Sequence, residues 1–248
     1  MKSRIGEKHL NNNGDEFKII EYISTRNCTV QFKDGFVSSN RQYRDIKRGE
    51  VKNPYYPTVC GIGYVGEGKH SIFVDGKVCL HYYTWKGMLE RCYDKNLHNK
   101  RPSYIGCTLD SKWMCHQNFA LWFIENFNPE TMDGWHLDKD ILVKGNKIYS
   151  PETCCFVPQE INLLFAKRQN NRGEYPIGVS KSGNKFMSKI SINGERKYLG
   201  TFDTPEEAFQ AYKTAKEKYI KEVADKWKPL IEEKIHQALY NYQVEITD

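Results

Sequence analysis

The dipeptide Asn193-Gly194 sits between two stretches in which apolar and polar residues alternate, and a few residues later the chain reads Thr204-Pro205-Glu206-Glu207. Asn-Gly is the strongest short-range hairpin signal, because a two-residue type I′ turn needs positive φ at both central positions. Thr at the N-cap, Pro at the first helical position and Glu two residues further on make a helix entry. The threonine oxygen accepts an orphan N–H, the glutamate reaches back, and proline brings no N–H to be orphaned. The region 177–202 is therefore expected to form a three-stranded sheet, followed by a helix with Ala208, Tyr212, Ala215 and Tyr219 on one face. The period of two puts Phe186, Ser188, Ile190 and Ile192 on one side of the sheet and Lys185, Met187, Lys189 and Ser191 on the other. In the next strand Arg196 and Tyr198 oppose Lys197 and Leu199. One side can pack on the helix; the other presents cations and a tyrosine.

Charge follows the same segment. The chain has 37 Lys and Arg against 31 Asp and Glu, a formal charge of +6, and the 35 residues 167–201 hold eight basic and two acidic residues. The whole excess is gathered there, as expected of a phosphate-binding surface. The candidate DNA contacts are Lys181, Lys185, Lys189, Arg196, Lys197 and Tyr198. A sheet of this kind fits the major groove, where basic side chains reach phosphates and base edges. Over about 45 residues, the pattern Gly178-Val-Ser, Lys185-Phe-Met-Ser-Lys-Ile and Leu199-Gly-Thr-Phe-Asp-Thr-Pro-Glu-Glu-Ala208 closely resembles the AP2/ERF DNA-binding domain. The resemblance implies a three-stranded sheet on one helix that reads double-stranded DNA with the sheet. Plant members carry arginines where this chain has Ser180 and Ser191, so their base preference does not transfer.

A second resemblance covers roughly residues 80–165. Trp135-His-Leu-Asp-Lys-Asp140, Asn146, Tyr149-Ser-Pro-Glu-Thr-Cys-Cys155 and Asn162 look like the HNH (His-Me finger) segment of phage homing-type nucleases. That family implies one Mg2+ or Mn2+ ion held by oxygen ligands at a phosphate. Asp138 and Asn162 fall where the family keeps those ligands. Asp140 either joins the metal site or pairs with Lys139. The family's basic histidine is replaced by Lys139, a poor base at an ordinary pKa of about 10.4 and a natural partner for the scissile phosphate. His136, two residues before Asp138, either substitutes as base or is a packing or solvent-facing histidine. Asn146 either orients a base or holds the hairpin turn, and Thr153 stands where the family usually has Asn.

The rest of the chain reads as scaffold. A stretch of short strands and turns over 16–63 suggests a small β-barrel-like module, with Arg41, Arg44, Lys47, Arg48 and Lys52 on a solvated or nucleic-acid-binding face. Tyr83, Trp85, Met88, Leu89 and Cys92, then Phe119, Trp122, Phe123 and Phe127, recur at helical spacing and are expected core stripes. Ser150-Pro151 marks a helix start, the polar run 169–173 a boundary, and a last helix follows with Ile231, Ile235 and Leu239 at i, i+4 spacing. The expected fold class is α+β in three modules: 1–75, 76–168 and 169–248.

Eight cysteines without a C-x-x-C pair read as buried free thiols, with Cys107, Cys115 and His116 as an alternative zinc set. No apolar run reaches the roughly 18–20 residues that cross a bilayer, and residues 1–6 lack an apolar signal region, so a cytoplasmic location, in a phage-infected bacterium, is expected. The glycines at 61–68 are not followed by Lys-Ser/Thr, and no Gly-x-Ser-x-Gly occurs, which argues against a P-loop or an α/β-hydrolase. Two functions stand: a metal-dependent DNA endonuclease, or an inactive relative that binds DNA as a regulator or engages a host protein of defence or replication.

Overall fold

The computed structural model of the protein describes residues 3–165 and 174–246. The fold is mixed α+β with several small sheets, and the chain divides into two compact units, Met1–Glu125 and Asn126–Asp248. That division falls inside the expected 76–168 module. The expected 168/169 boundary, the polar run 169–173 and the cations Lys167, Arg168 and Arg172 lie outside the described residues.

The first unit opens with an antiparallel sheet of β1 (Lys8–Leu10), β2 (Glu16–Ser24), β3 (Asn27–Phe32) and β4 (Val37–Arg41), paired in chain order. Alternation in β2 buries Phe17 and Ile19 and exposes Lys18 and Ile20. Cys28, Val30 and Phe32 join them, and α1 (Tyr43–Lys47) lays Ile46 on the same core beside Val51. The barrel-like expectation is corrected here, because the sheet is open and no barrel closes among the described residues. Closing a sheet needs more and longer tilted strands, whereas β1 and β4 span three and five residues and remain edges. Arg41, Arg44, Lys47, Arg48 and Lys52 are all exposed.

A small hairpin, β5 (Phe73–Val74) and β6 (Lys77–Val78), leads into α2 (Leu80–Tyr93), α3 (Lys95–Lys100), β7 (Thr108–Leu109) and α4 (His116–Asn126). The stripe of α2 buries Trp85, Met88, Leu89 and Cys92; α4 buries Phe119, Ala120 and Phe123. Tyr83 departs from expectation at 71% exposure, since two residues from Trp85 is about 200° around the helix. Trp85 Nε1 donates to the Trp113 carbonyl (2.7 Å), closing the polar end of a buried indole.

His116 is fully buried in this unit, its ring stacked on His81 and its Nε2 2.9 Å from His81 Nδ1, while its Nδ1 has no partner. Burial and then the neighbouring His81 push its pKa down to about 4. A histidine depressed in the fold stabilises the protein fully above its unfolded pKa of about 6.5, and this is lost as pH falls toward 4. Stability should therefore drop by on the order of 3 kcal/mol between pH 7 and 4 through this group. Urea midpoints across that range should show a shallower acid loss for His116→Gln than for the wild type.

The second unit contains β8 (His136–Asp138), β9 (Ile148–Tyr149), β10 (Cys155–Val157) and α5 (Gln159–Leu164). These are followed by the sheet β11 (Val179–Ser182), β12 (Lys185–Ile192) and β13 (Glu195–Phe202), then α6 (Pro205–Trp227) and α7 (Glu233–Tyr240). Asn193 and Gly194 take φ of 53° and 83°, as the hairpin turn requires. The capping box forms in both directions between Thr204 and Glu207. Gly178, at φ 79°, lies so close to the Tyr212 ring that a Cβ would overlap it. The short helix starts after Pro158 and not at Ser150-Pro151, where Thr153 instead folds back on Ser150 in a turn.

One hydrophobic core runs through this unit. Ile141, Cys155, Val157 and Ile161 from the strand–helix segment share it with Ile190 of the sheet, with Phe209, Tyr212 and Ile220 of α6, and with Ile235 and Leu239 of α7. Residues on the two sides of the expected 168/169 boundary are thus packed together. Among the described residues no helix is long and apolar enough to cross a membrane.

Candidate functional site

Strand β8 pairs antiparallel with β10, with Asp138 opposite Cys155 and His136 opposite Val157, and α5 follows directly. The order is β8, a long connection that includes the two-residue β9, then β10 and α5, and it carries His136 and Asp138 on one side of β8 with Asn162 on α5. The Asn162 amide Nδ2 lies 2.9 Å from His136 Nδ1. An amide nitrogen can only donate, so in this orientation Nδ1 accepts and the ring proton sits on Nε2. His136 is exposed and presents a donor. Base work by Nε2 needs the Asn162 amide turned over, so that Oδ1 accepts from Nδ1–H. The two roles expected of this pair, base for His136 and oxygen ligand for Asn162, therefore compete for one amide orientation.

Asp138 Oδ1 accepts the backbone N–H groups of Asp140 (2.8 Å) and Ile141 (2.9 Å), capping the start of the loop. Burial, and then the Asp140 charge, raise its pKa to about 6. Lys139 is buried, with Nζ 3.1 Å from Asp140 Oδ2 and 5.8 Å from the centre of the Tyr149 ring. Its place is an internal ion pair, not an open contact for a scissile phosphate. Asn146 Nδ2 donates to the carbonyls of Lys139 (2.6 Å) and Ile148 (2.7 Å), and its Oδ1 accepts the Ile148 N–H (3.1 Å). Asn146 holds the loop, with Thr153 Oγ1 donating to the same Ile148 carbonyl (2.9 Å). Of its two expected roles, the turn-holding one is what these bonds describe.

Asp138, Asp140 and Asn162 carry side-chain oxygens of the kind a hard divalent cation takes, with Asp138 Oδ1 on two backbone N–H groups, Asp140 Oδ2 on Lys139 and the Asn162 amide against His136. The Asp140 charge beside Asp138 disfavours the Asp138 carboxylate, a cost that a cation there would relieve, so in donor chemistry these residues suit the ion implied by the HNH resemblance. Among the described residues no cluster of three or more His, Cys, Asp and Glu side chains is arranged to hold a metal. Burial raises the thiol pKa of Cys154 to about 12 and also raises that of Cys155, so neither is a ready thiolate ligand. Cys107 and Cys115 are buried free thiols as well.

Sequence reasoning missed Glu160. Its Oε2 accepts from Lys226 Nζ (2.6 Å) and Trp227 Nε1 (2.7 Å) at the end of α6. Burial alone would raise its pKa, but these two donors outweigh it and hold the carboxylate below its usual range. Trp135 meets Trp227 edge to face at 6.2 Å. Partners 66 and more residues apart leave no local signal.

On the three-stranded sheet, cross-strand partners share a face. Lys189 pairs with Tyr198 and Ser191 with Arg196, all exposed, on the side away from α6. Lys181 registers with Phe186 and Lys197 with Ile190, so these two emerge on the α6 side. Lys185 lies on the open side but is bonded to Asp203 Oδ1 (2.9 Å). A bulge at Leu199, between the pairs 188/200 and 189/198, lets Leu199 pack toward the core while Tyr198 stays outward. The six candidate contacts are therefore split. Lys189, Arg196 and Tyr198 gather on one face, Lys185 joins them as half of an ion pair, and Lys181 and Lys197 stand on the other. Compared with family models, curated proteins and solved structures, the chain matches none of them.

Proposed function

We propose that this protein binds double-stranded DNA with the open face of its three-stranded sheet and hydrolyses a phosphodiester bond at the β8–β10–α5 segment. The observation that carries this reading is the joining of two features in one core: a cation-bearing sheet face, and the strand–strand–helix segment that bears Asp138 and Asn162. Lys189 and Arg196 neutralise phosphates and so draw in and hold the duplex. Asp138, Asp140 and the Asn162 carbonyl would hold one Mg2+ or Mn2+ ion. Bound there, the ion supplies charge stabilisation at the phosphate and its leaving oxygen. His136 donates from Nε2 toward a phosphate oxygen, with its ring set by Asn162. Lys139 neutralises Asp140 and Asn146 fixes the loop, so both act on the shape of the site. The domain layout follows: the AP2-like sheet and helix dock, and the HNH-like segment cuts.

Supercoiled plasmid incubated with the protein and Mg2+ or Mn2+ should be converted to nicked circles, and EDTA should prevent it. A second reading is favoured by one observation. Asp138 is engaged by two backbone N–H groups as a loop cap, a role that a purely structural segment also needs. In that reading the protein is a duplex-binding regulator, or a factor engaging a host protein, and the plasmid stays supercoiled while binding persists.

A further inference from the structure

We infer that the open sheet face reads thymine through its 5-methyl group; this rests on the duplex-binding reading above. Register aligns Ser180, Met187 and Thr201 in one row across the three strands. With strands about 4.8 Å apart, such a row spans about 10 Å, which suits a major groove about 12 Å wide. Lys189 lies in the next row on this face and Arg196 in the row beyond it, in position for phosphates. The row itself carries no charge. It offers no guanidinium for guanine, no carboxamide for adenine and no carboxylate for cytosine, the pairings that read those bases directly.

What the row offers is a flexible thioether, a threonine methyl and small hydroxyls. Tyr198, 61% exposed in the adjoining row, has its hydroxyl 2.7 Å from Thr201 Oγ1. The two hydroxyls engage each other, which leaves the ring and the methyl as contact surface. In the major groove the one apolar group on any base edge is the thymine 5-methyl. Met187, unbranched and polarizable, suits a contact of that size.

The full chain is first used to select binders from a pool of random-core duplexes at low salt. The enriched duplexes are then resynthesised with deoxyuridine for thymidine, which removes only the methyl. Loss of one buried methyl contact corresponds to about fourfold in affinity, so the uracil duplexes should bind at least that much more weakly. Met187→Ala should bring the thymine-to-uracil ratio near one, and Met187→Leu should keep the discrimination. Selective binding with equal affinity for both duplexes overturns this inference and leaves duplex binding standing. Binding to no duplex at all overturns both.

Discussion

Asp138→Asn should lower divalent-ion-dependent DNA cleavage by a factor of about 10³ or more while leaving the fold and duplex affinity close to wild type. The asparagine keeps an Oδ1 that can accept the backbone N–H groups of Asp140 and Ile141, so the loop cap survives. What it loses is a negative oxygen for the ion, and several kcal/mol of charge stabilisation correspond to at least three decades of rate. Asp138→Ala should lose both. It leaves two N–H groups without their acceptor, at about 1–3 kcal/mol where they are buried, and its melting temperature should fall with its activity. The pair of variants separates chemistry from scaffolding. If the asparagine variant cuts as well as wild type, the carboxylate is a cap and nothing more. His136→Ala should be milder, with less than about a hundredfold loss, because a hydrogen-bond donor is removed and not the general base that contributes roughly 10²–10⁴.

The second large effect concerns docking. Lys189→Ala combined with Arg196→Ala should weaken duplex binding by one to two decades, at about 1–3 kcal/mol in total. The slope of log affinity against log salt should also fall by about 1.8, since each phosphate contact contributes about 0.9. Lys185→Ala should do less, because that ammonium already has Asp203 at 2.9 Å. Fluorescence anisotropy from 50 to 300 mM salt gives both quantities. An unchanged slope in the double variant would move the DNA surface elsewhere, with the exposed basic residues around α1 as the next candidates.

Local signals were the legible part. The Asn193-Gly194 turn and the Thr204 cap are fixed by φ preferences and by hydrogen bonds within four residues, so they can be read without knowing the rest of the chain. Alternation likewise placed Ile190 inward and Lys189 outward. Effects of partners distant in sequence were not legible. The bulge at Leu199 depends on strand pairing, and the shared core depends on Ile161 meeting α6 and α7. Lys139 illustrates the limit well: its type argues for a phosphate contact, but the adjacent Asp140 and the Tyr149 ring hold it inside. The open N-terminal sheet is a similar case, because strand composition does not say whether edges meet. At the candidate site, residue types were readable while the competition for the Asn162 amide was visible only from the 2.9 Å contact with His136.

Electron paramagnetic resonance of Mn2+ titrated into the duplex-bound protein addresses the ion site directly, since the signal of free Mn2+ disappears as the ion is taken up. The predicted result is one Mn2+ per chain in the wild type, and strongly weakened uptake in both Asp138→Asn and Asn162→Ala. Uptake indistinguishable among the three proteins, or none in any of them, would contradict a metal held between strand β8 and helix α5.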